Sequence, residues 1–178
     1  ERLTVLNHAF AVEPLLAHTL RGQRVVLVDD VMTTGASLFT AARVLKAFRQ
    51  AGDAVIHVRH EFTSEDAPFF TPGSEGAHLH AKVLNEGDEP VVLKHFVNAF
   101  RQTNLRALLE QRSITELVVV GSMSHVCIDA ATRAAADLGY SVSVLHDACA
   151  TLDVEFNGVS VPAAQVHAAY MAALAFGY

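Results

Sequence analysis

The 178-residue chain has no tryptophan, only two cysteines and five prolines, and 18% of its residues are charged. Cys127 and Cys149 are too few for a disulfide framework, so a reducing cytoplasm is the expected setting. There is no basic run. With 13 Lys and Arg against 19 Asp and Glu, the formal net charge is −6, which argues against a nucleic-acid backbone as partner. No apolar stretch approaches the length of a membrane span and no signal-peptide pattern opens the sequence, so a membrane partner is not expected. The first residue is Glu1 rather than Met, which leaves the natural start open. What the chain has in quantity is hydrophobic residues, 51%, enough for a substantial core and too many for disorder. No repeat, low-complexity tract or linker interrupts it, so residues 1–178 read as a single domain.

Short β-rich runs at 25–28, 55–58, 91–93, 117–120 and 142–145 alternate with helical stretches at about 37–51, 103–111, 129–138 and 162–175. Pro162 suits the first turn of the last helix, where a missing N–H costs little. Within that helix "AAYMAALAFGY" reads as a core face, with an interface as the other reading. Strand–helix alternation predicts an α/β fold, a parallel sheet with helices on both faces. Residues 61–89, carrying "APFFTPGSEGAHLH", break the rhythm and read as a long functional loop, a lid or pocket wall.

The strongest chemical signal is "LVVVGSMSHVCIDAATRAAADLGY", residues 117–140. A strand runs into Gly121 and a tight turn, and Cys127 precedes a helix. Ligands bind at the carboxyl ends of strands in such sheets. A thiol at a helix start meets the positive end of the macrodipole, which favours thiolate, and free N–H groups there stabilise an oxyanion. Two readings stay open, an inert buried cysteine and a nucleophile. A nucleophile needs a base and a cation, and the strand ends offer Asp29 or Asp30 and Lys94. Lys94 is either a snorkelling surface residue or a cation held in a site.

From about residue 47 onward the chain resembles the isochorismatase-like cysteine hydrolases, on "RQAGDAVIHVRHEF", "PGSEGAHLH", "VVLKHFVNAFRQTNLRALL", "VVVGSMSHVCIDAATRAAADLGY" and "HDACAT". The resemblance implies a three-layer, Rossmann-like, doubly wound and mainly parallel sheet of about six strands. It also implies a catalytic Asp, Lys and Cys, with Lys94 and Cys127 at the lysine and nucleophile positions. A non-proline cis peptide around His125–Val126 is implied too, shaping an oxyanion hole with Cys127. Family members that keep the cysteine resemble amidases and carbamoyl hydrolases working through a thioester, so a small-molecule substrate is expected. The nicotinamidase branch holds a metal through an Asp-x-His motif, which "HVRHEFTSED" lacks. His57 and His60 have odd spacing and point to opposite faces of a strand. No metal and no cofactor is therefore expected, and the ten histidines read as structural or solvent-exposed. The resemblance further implies a homodimer or larger homo-oligomer.

The first 45 or so residues are different. "VVLVDDVMTTGAS" resembles competence-protein-F-like phosphoribosyltransferases, in which the acid pair contacts ribose hydroxyls. Thr33, Thr34, Gly35, Ala36 and Ser37 would then cradle a 5′-phosphate at a helix start. The rest of that machinery is absent from this sequence, so transferase activity is not expected. The chain reads as a chimera joined near Lys46, with one Asp of the first segment serving the hydrolase body. Aligning the apolar runs selects Asp29, whereas aligning the Asp-Val dipeptide selects Asp30. Neighbouring strand residues face opposite ways, so only one can meet Cys127.

Overall fold

A computed structural model describes residues 24–29 and 36–178. Five strands, β1 (Arg24–Asp29), β2 (Ala54–His60), β3 (Val91–Lys94), β4 (Glu116–Ser122) and β5 (Ser141–Ala150), form one sheet in the order β3-β2-β1-β4-β5. Every pairing in it is parallel. Helix α1 (Ala36–Ala51) follows β1, α2 (Leu105–Gln111) precedes β4, α3 (Asp129–Asp137) precedes β5, and α4 (Ala163–Gly177) ends the chain. About six strands were expected in the sheet; among the described residues it has five. The further strands, β6 (Val154–Phe156) and β7 (Val159–Val161), pair only with each other as an antiparallel hairpin. At three residues each, and mostly exposed, they form a separate short ribbon rather than extending the sheet.

β1 lies at the centre. Val25 to Val28 are buried because β1 is covered on both faces, which explains an unbroken apolar run rather than alternation. Each such side chain contributes about 1.5–3 kcal/mol of burial. Val26 and Val28 pack with Leu38, Ala41, Val44, Leu45 and Phe48 of α1. Val25 and Leu27 face the opposite layer, with Leu105 and Leu109 of α2 and Ala131 and Ala135 of α3. Helices therefore cover both faces of a doubly wound α/β sheet. The chain winds outward from β1 through β2 to β3, then returns to lay β4 on the other side of β1. The crevice beyond the carboxyl ends of β1 and β4 is the topological switch point, where such sheets bind ligands.

Three local readings differ from the sequence pattern. β5 runs on past residue 145, because its polar residues His146 and Asp147 lie in a bulge that interrupts the apolar run without ending the strand. While β4 advances from Val119 to Gly121, β5 advances from Val144 to Cys149. Pro162 caps α4 from outside the helix, with ψ 145°, and the first helical N–H, that of Ala163, is bound by the Asp153 carboxylate at 2.7 Å. Finally, α4 is not a core helix: only Val166 and Leu174 are buried, and Phe176 is 96% exposed.

The segment between β2 and β3 is the expected long loop, with two short 3-10 turns, Glu75–Ala77 and Ala81–Val83. A polar clamp fastens its far end. Arg49 of α1 donates to Glu89 through Nε (2.8 Å) and Nη2 (2.7 Å), to Glu86 through Nη1 (2.7 Å), and to the Leu84 carbonyl (2.8 Å). His57 Nε2 lies 3.0 Å from the same Glu89 carboxylate. The loop walls a cavity of about 830 Å³ lined in part by Val28, Arg59, Phe70, Leu84 and Val91. Strand alternation turns Val28, Arg59 and Val91 away from the face that Asp29 and Lys94 share.

Candidate active site

Asp29 is the last residue of β1 and Lys94 the last of β3, and both side chains are fully buried. Lys94 Nζ donates to both carboxylate oxygens of Asp29, at 2.6 and 2.8 Å. The register explains how a side chain reaches across an intervening strand. Asp29 pairs with Val58 of β2, and His60, two residues on, pairs with Lys94. All of these positions share one sheet face, and the long lysine stem crosses β2 along it. The open choice over Lys94 is resolved: it is a cation held inside, not a surface residue. Asp30 lies outside the described residues, as do Thr33, Thr34 and Gly35. Ala36 and Ser37 form the start of α1, exposed and half-buried respectively.

Gly121 sets Asp29 from the other side. The two are register partners, and Gly121 has φ +132°. A Cβ built there would lie 1.7 Å from the Asp29 carbonyl oxygen. Only glycine lets β4 approach the end of β1 this closely.

Cys127 lies in a wide π-type turn, Ser124–Ile128, between β4 and α3, and is 7% exposed. Ile128 of this turn joins the same apolar layer as Val25 and Leu27, so the turn packs on the face that carries Asp29. The expected cis peptide at His125–Val126 is not there; the non-proline cis bond is Ser122–Met123, ahead of the turn. Val126 is within the turn's helical backbone, and its N–H donates to the Met123 carbonyl at 3.0 Å, so that N–H is already engaged. The Ile128 N–H donates to the same carbonyl at 3.2 Å. His125 turns its Nδ1 to the Thr151 hydroxyl and its ring edge to Tyr170 of α4.

The second thiol is of another kind. Cys149 pairs with Gly121 on the sheet itself, and burial pushes its thiol up to about 12. It is held protonated and unreactive.

His60 is a site neighbour that sequence reasoning passed over as structural or exposed. It is buried, shares a face with Lys94, and packs edge-to-face with Phe62 and at a tilt against Phe70, with ring centroids 4.4 and 5.6 Å away. Burial first, then the charge of Lys94 and the proximity of His95, push its pKa down to about 4, so it is neutral near pH 7. Its odd spacing from His57 does put the two on opposite faces: one serves the loop clamp, the other adjoins the ion pair. Which of them would adjoin a lysine required the β2–β3 register. Among the described residues, no group of three or more His, Cys, Asp or Glu is arranged to hold a metal ion.

The Isochorismatase domain family matches residues 22–173, a span that takes in β1 and α1. A solved structure from Oleispira antarctica, assigned to the isochorismatase hydrolases, superposes with a TM-score of 0.84 at 50% identity, covering 88% of this chain and 91% of that one. The uncharacterized isochorismatase family protein YddQ of Bacillus subtilis (strain 168) is 44% identical over 134 residues, 75% of this chain and 74% of YddQ. Streptothricin hydrolase of Streptomyces noursei is 39% identical over 142 residues, 72% of this chain and 50% of that enzyme. The match from residue 22 takes in the unit expected to come from a phosphoribosyltransferase, and β1 of that unit is hydrogen-bonded into the sheet on both sides. The chain belongs to the isochorismatase family.

Proposed function

We propose that this chain is a cysteine hydrolase that cleaves a small amide or carbamoyl C–N bond through a thioester. The observation that carries this reading is the buried Asp29–Lys94 pair at the switch point, on the face against which the Cys127 turn packs. A charge pair removed from water is costly unless it has a task or excellent geometry. The similarity to streptothricin hydrolase supports C–N hydrolysis as the reaction class.

In this reading Asp29 takes the thiol proton as Cys127 Sγ attacks the carbonyl carbon. The S–C bond forms and the C–N bond breaks, and the nitrogen leaves with the proton from Asp29. Water then attacks the thioester and gives Asp29 a proton. The C–S bond breaks, the acid departs, and Sγ recovers its proton. Lys94 keeps Asp29 oriented and supplies positive charge while the oxyanion develops. Replacing Cys127 by Ala should abolish ammonia release from a panel of small primary amides and carbamoyl compounds, and an acyl adduct on Cys127 should appear by quenched-flow mass spectrometry. Wild-type turnover in Cys127→Ala would sink the reading.

A second reading rests on the "DDVMTTGAS" motif, whose last two residues open α1: it would hold a phosphorylated sugar at the helix start. Calorimetry with ribose 5-phosphate decides it, and no heat at millimolar ligand removes it. We also infer cytoplasmic placement from the free cysteines, and self-association from exposed Phe156, Val159 and Phe176. A single monomeric species in sedimentation velocity would rule out the latter.

A further inference from the structure

The turn that carries Cys127 is fastened at a point the hydrolytic scheme does not use. Ser124, its first residue, is completely buried. Its hydroxyl donates to the Ala150 carbonyl at the end of β5, at 3.2 Å, and lies 2.7 Å from Nδ1 of His167 on α4. A serine hydroxyl has one proton. With that proton on Ala150, the His167 contact must run the other way, Nδ1–H donating to Oγ. That arrangement corresponds to the Nδ1–H tautomer of His167. Burial, and then the proximity of His146 in the β5 bulge, lower its pKa and keep it neutral. The arrangement is not a second nucleophile, because the Ser124 oxygen is fully enclosed and its proton is committed. It is a tie between a helix late in the sequence and the turn that presents the thiol. His125 makes a parallel tie, reaching Thr151 and the Tyr170 ring one turn further along α4.

We propose that His167 is a positioning residue that acts through Ser124 to hold Cys127 in its reactive placement. The inference rests on the reading of Cys127 as nucleophile. α4 has few buried side chains of its own, so these polar contacts, rather than a packed core, register it against the turn.

The test is the rate at which iodoacetamide alkylates Cys127 in the full chain, read by peptide mass spectrometry. Cys149, with its thiol pushed up to about 12, serves as the internal control. His167→Ala and Ser124→Ala are each expected to slow alkylation of Cys127 about tenfold, in keeping with the cost of a small misplacement. His167→Asn, whose amide N–H stands where Nδ1–H does, is expected to restore the rate to within about threefold of wild type. Circular dichroism melting identifies the folded variants, and Ser124→Ala carries the test alone if His167→Ala does not fold. An unchanged or faster rate in the alanine variants overturns the proposal, as does an Asn variant no better than Ala. Alkylation needs no substrate. Loss of turnover in Cys127→Ala with normal alkylation in His167→Ala would therefore uphold the hydrolase and overturn the tie. Slow alkylation in His167→Ala without any amide turnover by the wild type would do the reverse.

Discussion

At the scale of single residues, Gly121 shows how much depends on one missing Cβ. Its place after an apolar run suggests a tight turn, yet it sits within β4, and its task is close approach to the Asp29 backbone. Gly121→Ala must push the end of β1 aside and adopt an unfavourable φ. We expect it to lower unfolding stability by about 1–3 kcal/mol in a urea titration and, under the proposed function, to cut amide turnover at least about a hundredfold. Wild-type turnover in that variant would show that this contact does not set Asp29. Lys94 and Asp29 illustrate a different limit on sequence reading. Both types are evident at strand ends, but 65 positions separate them, and a lysine ending an apolar run snorkels as readily as it pairs. Only the β1–β2–β3 register brings the ammonium onto the carboxylate.

At the scale of elements, the loop clamp and β2 make the acid stability of the protein predictable. Burial alone would raise Glu89, but Arg49, the Glu86 N–H and His57 outweigh it and hold the carboxyl down at about 2. A carboxylate depressed in the folded state stabilises fully above its unfolded value of about 4.5, and the contribution is lost as pH falls through about 2. His60 acts in a higher window. Its folded pKa of about 4 lies below the ordinary 6.5, so the unfolded chain takes up the proton first. Stability is then whole above 6.5 and declines as pH falls towards 4. We expect Glu89→Gln to flatten the melting temperature profile chiefly below pH 4.5, and His60→Phe to flatten it between 6.5 and 4. Identical profiles for wild type and Glu89→Gln below pH 4.5 would refute the clamp. The loop itself was visible in the sequence as a break in periodicity. Its fastening was not, because Arg49 belongs to a helix whose apolar spacing speaks only of the face turned to the sheet.

At the scale of the whole molecule, the position of β1 tests whether the first segment is an appendage or a structural necessity. If a self-sufficient hydrolase body began near Lys46, residues 47–178 would fold alone. The structure predicts otherwise, because β1 is hydrogen-bonded to both β2 and β4 and its removal splits the sheet. We expect the truncated chain to lack a cooperative thermal transition by circular dichroism, and a sharp transition would overturn this. The sequence by itself determined the layered α/β architecture, since apolar runs of strand length alternating with amphipathic helices have few other ways to bury their faces. It also marked Asp29 or Asp30, Lys94 and Cys127 as candidate chemistry-bearing residues at or just beyond strand ends. Tertiary structure alone decided that Asp29 and Lys94 form one buried pair, that burial keeps the Cys149 thiol protonated, that His60 adjoins the lysine, and that α4 hydrogen-bonds to the turn carrying Cys127. The physical reason is one of range. Periodicity records which face of an element is buried, whereas strand register and contacts between distant elements depend on how the layers close on one another.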